Sequence, residues 1–219
     1  MTLDFAQARQ TMVESQVRTW DVLDPRVLDV LSRVHREDFV PAAHRALAFA
    51  DLELPLGHDE VMMKPVVEGR LLQALALQPG DEVLEIGTGS GFLTACLATL
   101  ARRVISVDLH GDFVHAAQTR LLAAGLGNVE LVVAEAVCGF VPGRRFDAIA
   151  VTGALYRIPE RFLDWLRPGG RLFAIRGESP AMQAVRVQDS GAGRFSEESL
   201  FETDLPYLAH AAPPPRFAL

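Results

Sequence analysis

Glu85, Gly87, Gly89 and Gly91 stand at alternate positions in the stretch Val83-Leu84-Glu85-Ile86-Gly87-Thr88-Gly89-Ser90-Gly91-Phe92. An apolar run that ends in an acid and then in glycines predicts a buried strand closing near Glu85 and a helix opening near Phe92. Between them the backbone must turn tightly and approach something closely. Glycine serves both needs, having no Cβ and tolerating φ > 0. The unpaired N–H groups of the helix N-terminus then face a ligand. A second acid, Asp108, closes the next apolar run, Arg103-Val104-Ile105-Ser106-Val107. An acid at the end of the second strand suits ribose hydroxyls. The series predicts a nucleoside cofactor held by Glu85, Ile86, Gly87, Thr88, Gly89, Ser90 and Gly91, with Asp108 and Leu109 at the ribose. For Glu85 the competing reading is a plain strand-end residue.

The glycine spacing is G-x-G-x-G, not the G-x-G-x-x-G of dinucleotide enzymes, and no G-x-x-x-x-G-K-[ST] loop occurs. A hydride-transferring NAD enzyme is disfavoured on that ground. The series of strand, acid, glycines, helix, strand and acid resembles the S-adenosylmethionine site of Rossmann-like methyltransferases.

The positioning elements follow from periodicity. Residues 6 to 50 read as helical. Ala8 to Thr19 carries Met12, Val13, Gln16 and Val17 at helical spacing, and Asp24-Pro25 reads as an N-cap with a first-turn proline. Val27, Leu28, Val30, Leu31 and Val34 make the stripe of the next helix, and Pro41 opens another through Ala50. Residues 51 to 65 read as a loop or short hairpin, feeding a helix from Pro65 to Leu77. Strands are then predicted at Glu82–Ile86, Val104–Asp108, Val129–Ala134, Phe146–Val151 and Arg171–Ile175. Helices are predicted at Phe92–Leu100, Gly111–Ala124 and Ile158–Leu166, with a turn at Pro168-Gly169-Gly170. Alternation of this kind implies α/β architecture with a doubly wound, mostly parallel sheet. Two further antiparallel strands are expected after Pro180, with Ala184–Gln188 alternating like an edge strand. The tail Ala211–Pro215 suits neither helix nor central strand. The division expected is residues 1 to 80 as a helical cap with an acceptor loop, and residues 81 to 219 as the cofactor-binding α/β domain, in one compact unit.

Composition narrows the partners. A net charge of −7 with no basic run argues against nucleic acid and favours small molecules or neutral or basic peptides. Cys96 and Cys138 read as two buried thiols, and no C-x-x-C or His cluster announces a metal, so none is expected. Met1–Gln7 shows no leader pattern, and no apolar run reaches the ~18 residues of a membrane span. A soluble, cytoplasmic protein is expected, with no signal of oligomeric state.

Several segments resemble the protein-L-isoaspartate O-methyltransferase family. They are Met12-Val13-Glu14-Ser15-Gln16-Val17-Arg18, Val34-His35-Arg36-Glu37-Asp38-Phe39-Val40-Pro41, and Leu54-Pro55-Leu56-Gly57-His58. Val83–Gly91, Phe146–Ala154, Ile158-Pro159-Glu160 and Leu166–Leu172 continue the likeness, which runs from about residue 10 to residue 175. The resemblance implies a Rossmann-like class I methyltransferase with an N-terminal helical cap, using S-adenosyl-L-methionine and releasing S-adenosyl-L-homocysteine. Its substrate would be the free carboxylate of isoaspartyl residues in damaged peptides or proteins. A carboxylate is already a nucleophile at pH 7, so positioning and water exclusion would carry most of the catalysis.

The chain departs from the family where the acceptor should bind. There the family carries Thr-Ile-Ser-Gln/Ala-Pro; aligned on Pro65, this chain reads Val61-Met62-Met63-Lys64-Pro65. Met63 takes the place of the serine, and a thioether donates no hydrogen bond. Losing one such donor commonly costs ~10²-fold. By resemblance the acceptor site would comprise Met63, Lys64, His58 and Thr152, with Lys64 drawing in the substrate's charge. The family's Gly-Asp-Gly after the third strand is Ala134-Glu135-Ala136 here, which puts Glu135 and Ala136 at the adenine. The competing readings are core filling for Met62 and Met63, a solvated charge for Lys64 and loop packing for His58. Two alternative functions accompany this departure: a methyltransferase for a different acceptor, and a non-catalytic S-adenosylmethionine-binding homologue.

Overall fold

A computed structural model describes residues 4–191 and 193–214. Met1–Leu3, within the leader reading, and Pro215, within the tail reading, lie outside them. Helix α1 (Phe5–Met12) is capped by Asp4 and continues through a π-helical turn, Val13–Val17, and a 3-10 turn, Arg18–Trp20. Helix α2 (Pro25–Arg33) starts as its sequence requires: the Asp24 carboxylate accepts from Arg26 N–H, and Pro25 occupies the first turn. The segment expected to be helical from Pro41 to Ala50 is a 3-10 stretch, Ala42–Leu47. Strands β1 (Leu54–Gly57) and β2 (Glu60–Met62) form an antiparallel hairpin. Helix α3 (Pro65–Leu75) ends before Pro79-Gly80, because Ala76 turns left-handed at φ 45°.

The main sheet runs β3 (Glu82–Ile86), β4 (Arg103–Asp108), β5 (Val129–Val133), β6 (Phe146–Leu155), β7 (Leu166–Arg176), β8 (Met182–Asp189) and β9 (Phe195–Thr203) along the chain. Its spatial order is β5-β4-β3-β6-β7-β8-β9, parallel from β5 to β7 and antiparallel at β8 and β9. Helices α4 (Phe92–Leu100) and α5 (Gly111–Ala123) connect β3, β4 and β5, and α6 (Glu160–Asp164) connects β6 to β7. Strand alternation divides the core in two. Val83, Ala148, Ala150, Phe173 and Ile175 join the cap, α3 and α4 in one cluster. Leu84, Ile86, Ile149, Val151, Leu172 and Ala174 face Phe162 and Trp165 in the other. Burial on both faces is what near-continuous apolar strands require.

Four sequence expectations need correction. Helix α6 is shorter than Ile158–Leu166, because Trp165 already gives its carbonyl to Phe146 N–H at 2.8 Å and draws the chain into the sheet. Strand β7 therefore begins at Leu166, and Arg167–Gly170 bulges out before pairing resumes at Ala148↔Arg171. Strand β8 is not an edge: β9 covers it, and its alternation is that of an internal strand with one face buried. Cys138 is exposed, in the turn that follows Glu135, so only Cys96 is a buried thiol.

Candidate functional site

The chain leaves β3 for β4 on one side and returns as β6 on the other. This is the switch point at which open α/β sheets form their crevice beyond the strands' carboxyl ends. The glycine loop lies there. Gly87, Gly89 and Gly91 have φ of 98°, 50° and 85°. A Cβ at Gly87 would lie 2.1 Å from Thr152 Oγ1. That hydroxyl donates to Gly87 O at 2.7 Å, with Ile86 O at 3.0 Å, and so ties β6 to the loop. Gly87 N–H donates to Val107 O at 2.8 Å. Asp108 is anchored twice: Oδ2 accepts from Gly89 N–H at 2.8 Å and Oδ1 from His110 N–H at 2.9 Å. Each oxygen keeps a free lone pair.

Of the residues predicted at the cofactor, Ile86, Gly87, Gly89, Asp108, Leu109, Glu135 and Ala136 line one pocket, and Thr152 joins them. The hairpin adds Leu56, Glu60 and Val61, the start of α5 adds His110 and Phe113, and the C-terminal segment adds Leu208. Apart from Val61, which lies in the segment aligned with the family's acceptor motif, sequence reasoning did not place these at the site. Leu56 and Glu60 were legible as hairpin residues, and His110 as a neighbour of Asp108. Leu208 carries no local signal; it arrives because Ala154 N–H donates to Pro206 O and Leu208 N–H to Ala154 O, at 2.8 and 2.9 Å. Glu60 and Asp108 make the cleft anionic. Burial pushes the Glu60 carboxyl up, Asp108 adds to this, and His110 and His58 draw it back.

Glu85, Thr88, Ser90 and Gly91 are not on the pocket wall. Glu85 is 0% exposed, and its Oε2 accepts from Thr94 Oγ1 at 2.5 Å and Ser106 Oγ at 2.6 Å. Thr88 Oγ1 lies 2.6 Å from Ser106 Oγ, and Ser90 Oγ accepts from Phe92 N–H at 3.2 Å. These groups shape the loop from beneath. Gly91 has no room for a Cβ, which would meet Ala117 at 2.9 Å. The Glu135 carboxylate is folded back onto its own turn, accepting from the N–H groups of Val137, Cys138 and Gly139. A longer side chain than the family's aspartate reaches the backbone first.

The acceptor residues do not converge as the resemblance implies. Met63 is 4% exposed, in the core beside Met62, and its carbonyl accepts from Arg36 at 2.7 Å. Lys64 Nζ lies 3.8 Å from Glu53 Oε1, on a separate groove with Trp20, Asp51 and Asp204. His58 stacks on His110, with ring centroids 4.0 Å apart, and its Nε2 is 3.0 Å from Asp112 Oδ2. Of the four, Thr152 alone lines the pocket beside the glycine loop.

Glu85 sets a pH dependence. Burial pushes its carboxyl up to about 8, against hydrogen bonds from Ser106 and Thr94 that draw it down; the ordinary glutamate value is 4.5. Between these values the folded chain holds a proton that the unfolded chain has lost. The stability contributed is therefore full below pH 4.5 and is lost as pH rises through about 8. Urea unfolding across that window is expected to show wild type falling relative to Glu85→Gln as pH rises. Parallel profiles for the two proteins would contradict this assignment.

A sequence profile described as protein-L-isoaspartate(D-aspartate) O-methyltransferase (PCMT) matches residues 7–204. The protein-L-isoaspartate O-methyltransferase of Methylorubrum populi is 38% identical over 188 residues, 86% of this chain and 88% of that protein. That of Syntrophotalea carbinolica is 35% identical over 200 residues, 91% and 92% of the two chains. Among solved structures, a protein-L-isoaspartate O-methyltransferase beta-aspartate methyltransferase (PCMT) from Plasmodium falciparum, in complex with S-adenosyl-L-homocysteine, superposes with a TM-score of 0.79 at 18% identity. It covers 91% of this chain and 97% of that one. At that identity the likeness is one of fold.

Proposed function

The chain belongs to the protein-L-isoaspartate(D-aspartate) O-methyltransferase family, and from that premise we propose that it methylates the free carboxylate of isoaspartyl residues in damaged peptides and proteins, with S-adenosyl-L-methionine as methyl donor. When bound, S-adenosylmethionine supplies an electrophilic methyl group on a sulfonium and leaves as S-adenosylhomocysteine. The observation that carries the reading is Asp108, held by Gly89 and His110 N–H groups at the switch point, with free lone pairs beside a glycine loop. Those lone pairs suit a ribose diol. Gly87 and Gly89 let a ligand approach the backbone, and Ala136 and Val137 offer an apolar wall to a base. Glu60 and Asp108 supply negative charge that favours a cationic donor. The substrate carboxylate is ionised at neutral pH, so no general base is required. Thr152, Leu56 and Leu208 orient the reactants and keep water out, which is the main demand of an in-line transfer. Under this reading the substrates are cytoplasmic proteins.

A second reading has one observation behind it. Met63, where the resemblance implies a serine, is packed in the core, so the acceptor wall is built from other residues and suits a different carboxylate or hydroxyl. One paired experiment separates the readings: calorimetric titration with S-adenosylhomocysteine, then labelled-methyl transfer to an isoaspartyl peptide and to its aspartyl counterpart. Binding with transfer to the isoaspartyl peptide alone is expected. Binding without transfer would overturn the repair assignment in favour of another acceptor or a silent binder, and absence of binding would remove the cofactor assignment as well.

A further inference from the structure

His58, at the tip of the β1–β2 hairpin, and His110 and Asp112, at the start of α5, come from segments about fifty residues apart and meet at the rim of the pocket. One ligand atom from each lies within 4.8 Å of the others. His58 Nε2 is already 3.0 Å from Asp112 Oδ2, and the imidazoles are stacked 5° from parallel, with Phe113 edge-on to both at 5.3 Å. Two features hold the donors there. His58 and Asp59 turn the hairpin with φ of 53° and 61°, a left-handed conformation that side-chain-bearing residues adopt rarely. His110 gives its backbone N–H to Asp108.

We propose that His58, His110 and Asp112 form a site for a divalent transition-metal ion of the zinc class. Two imidazoles and a carboxylate are the donors such ions select, and a water molecule would complete four-coordination. Ligands of a tetrahedral zinc ion stand about 3.4 Å apart, given bond lengths of about 2.1 Å, so the existing spread needs a modest contraction. The rings must turn out of their stack to aim both lone pairs at one ion, and this replaces the His58–Asp112 hydrogen bond with two metal bonds. Asp108, which accepts the His110 backbone N–H at 2.9 Å, and Glu60, two residues beyond His58, line the same cleft as His110 and add negative charge next to the site. The consequence is a clasp. The hairpin carrying Leu56 and Glu60 walls the pocket from above, and His110 walls it from the α5 side, so an ion bridging them pins the hairpin across the cleft. Sequence spacing hides such a site, because its ligands lie on separate elements.

The test is calorimetric titration of zinc chloride into the full chain carrying Cys138→Ser, which removes the exposed thiol as a rival ligand. One ion per chain is expected at pH 7.5. His58→Asn, His110→Asn and Asp112→Asn should each weaken binding at least about tenfold. These side chains lie at the surface, and urea midpoints for the metal-free variants check that they fold. No saturable zinc binding up to millimolar concentration, or equal affinity in the three variants, would overturn the proposal.

Discussion

Gly87→Ala is expected to cut S-adenosylhomocysteine affinity about 5- to 150-fold, the factor that corresponds to about 1–3 kcal/mol of strain held on binding. Two effects combine. The backbone at Gly87 has φ 98°, outside what alanine adopts freely, and holding a side-chain-bearing residue in such a region costs about 1–3 kcal/mol. The new Cβ would also lie 2.1 Å from Thr152 Oγ1. Thr152 must then retreat and release the carbonyls of Ile86 and Gly87, which it now ties to β6. The effects can be separated. Gly87→Ala with Thr152→Ala removes the clash but leaves the backbone strain, so it should regain part of the lost affinity and not all of it. Calorimetry on the single and double variants checks this. Binding by Gly87→Ala within about threefold of wild type would mean that the loop does not approach its ligand as described.

The largest expected stability effect belongs to Arg36→Met. Arg36 is 0% exposed. It pairs with Glu68, donates to Ala48 O at 2.8 Å and Met63 O at 2.7 Å, and lies over the Phe92 ring at 4.8 Å. One side chain thus joins the cap, the hairpin and α3 to the helix after the glycine loop. Burial pushes the Glu68 carboxyl up to about 7, against the pull of the Arg36 guanidinium. Removing one partner of such a pair leaves a buried charge or forces its protonation, at a cost of about 3–5 kcal/mol. That is a large share of the ~5–15 kcal/mol that holds a domain folded. Pairing Arg36→Met with Glu68→Met should recover the ionic part but not the two stranded carbonyls, each worth about 1–3 kcal/mol. Urea unfolding of the three proteins measures both. A loss below about 1 kcal/mol in the single variant would show that the network is not structural.

The parallel sheet and the glycine loop were readable because each rests on local rules. Strand length, the spacing of Gly87, Gly89 and Gly91 and the acid at Asp108 all lie within a few residues of what they act on. The site was legible where backbone geometry sets it and misleading where side-chain direction does. Glu85 stands at the right place in the strand, but alternation turns it to the face that α4 covers, where Thr94 and Ser106 receive it. Glu135 stands at an adenine position, yet reaches three N–H groups of its own turn before any ligand. Met63 lies just past the end of β2, in the core beside Met62, and its carbonyl is taken by Arg36. Leu208 and the His58–His110 stack depend on tertiary contacts across long separations, for which a single sequence offers no periodic signal.

The dependence of the pocket on Leu208 also orders events in time during synthesis. The glycine loop, Asp108 and Thr152 leave the ribosome well before Leu208 does, and β6 gains its last hydrogen-bonded neighbour only when Pro206–Leu208 folds back onto Ala154. At translation rates of about 5–20 residues per second, roughly ten seconds separate emergence of the loop from that of the segment that closes over it. A nascent chain therefore presents an open, half-walled crevice for that interval, and the wall is completed only once Leu208 has been delivered.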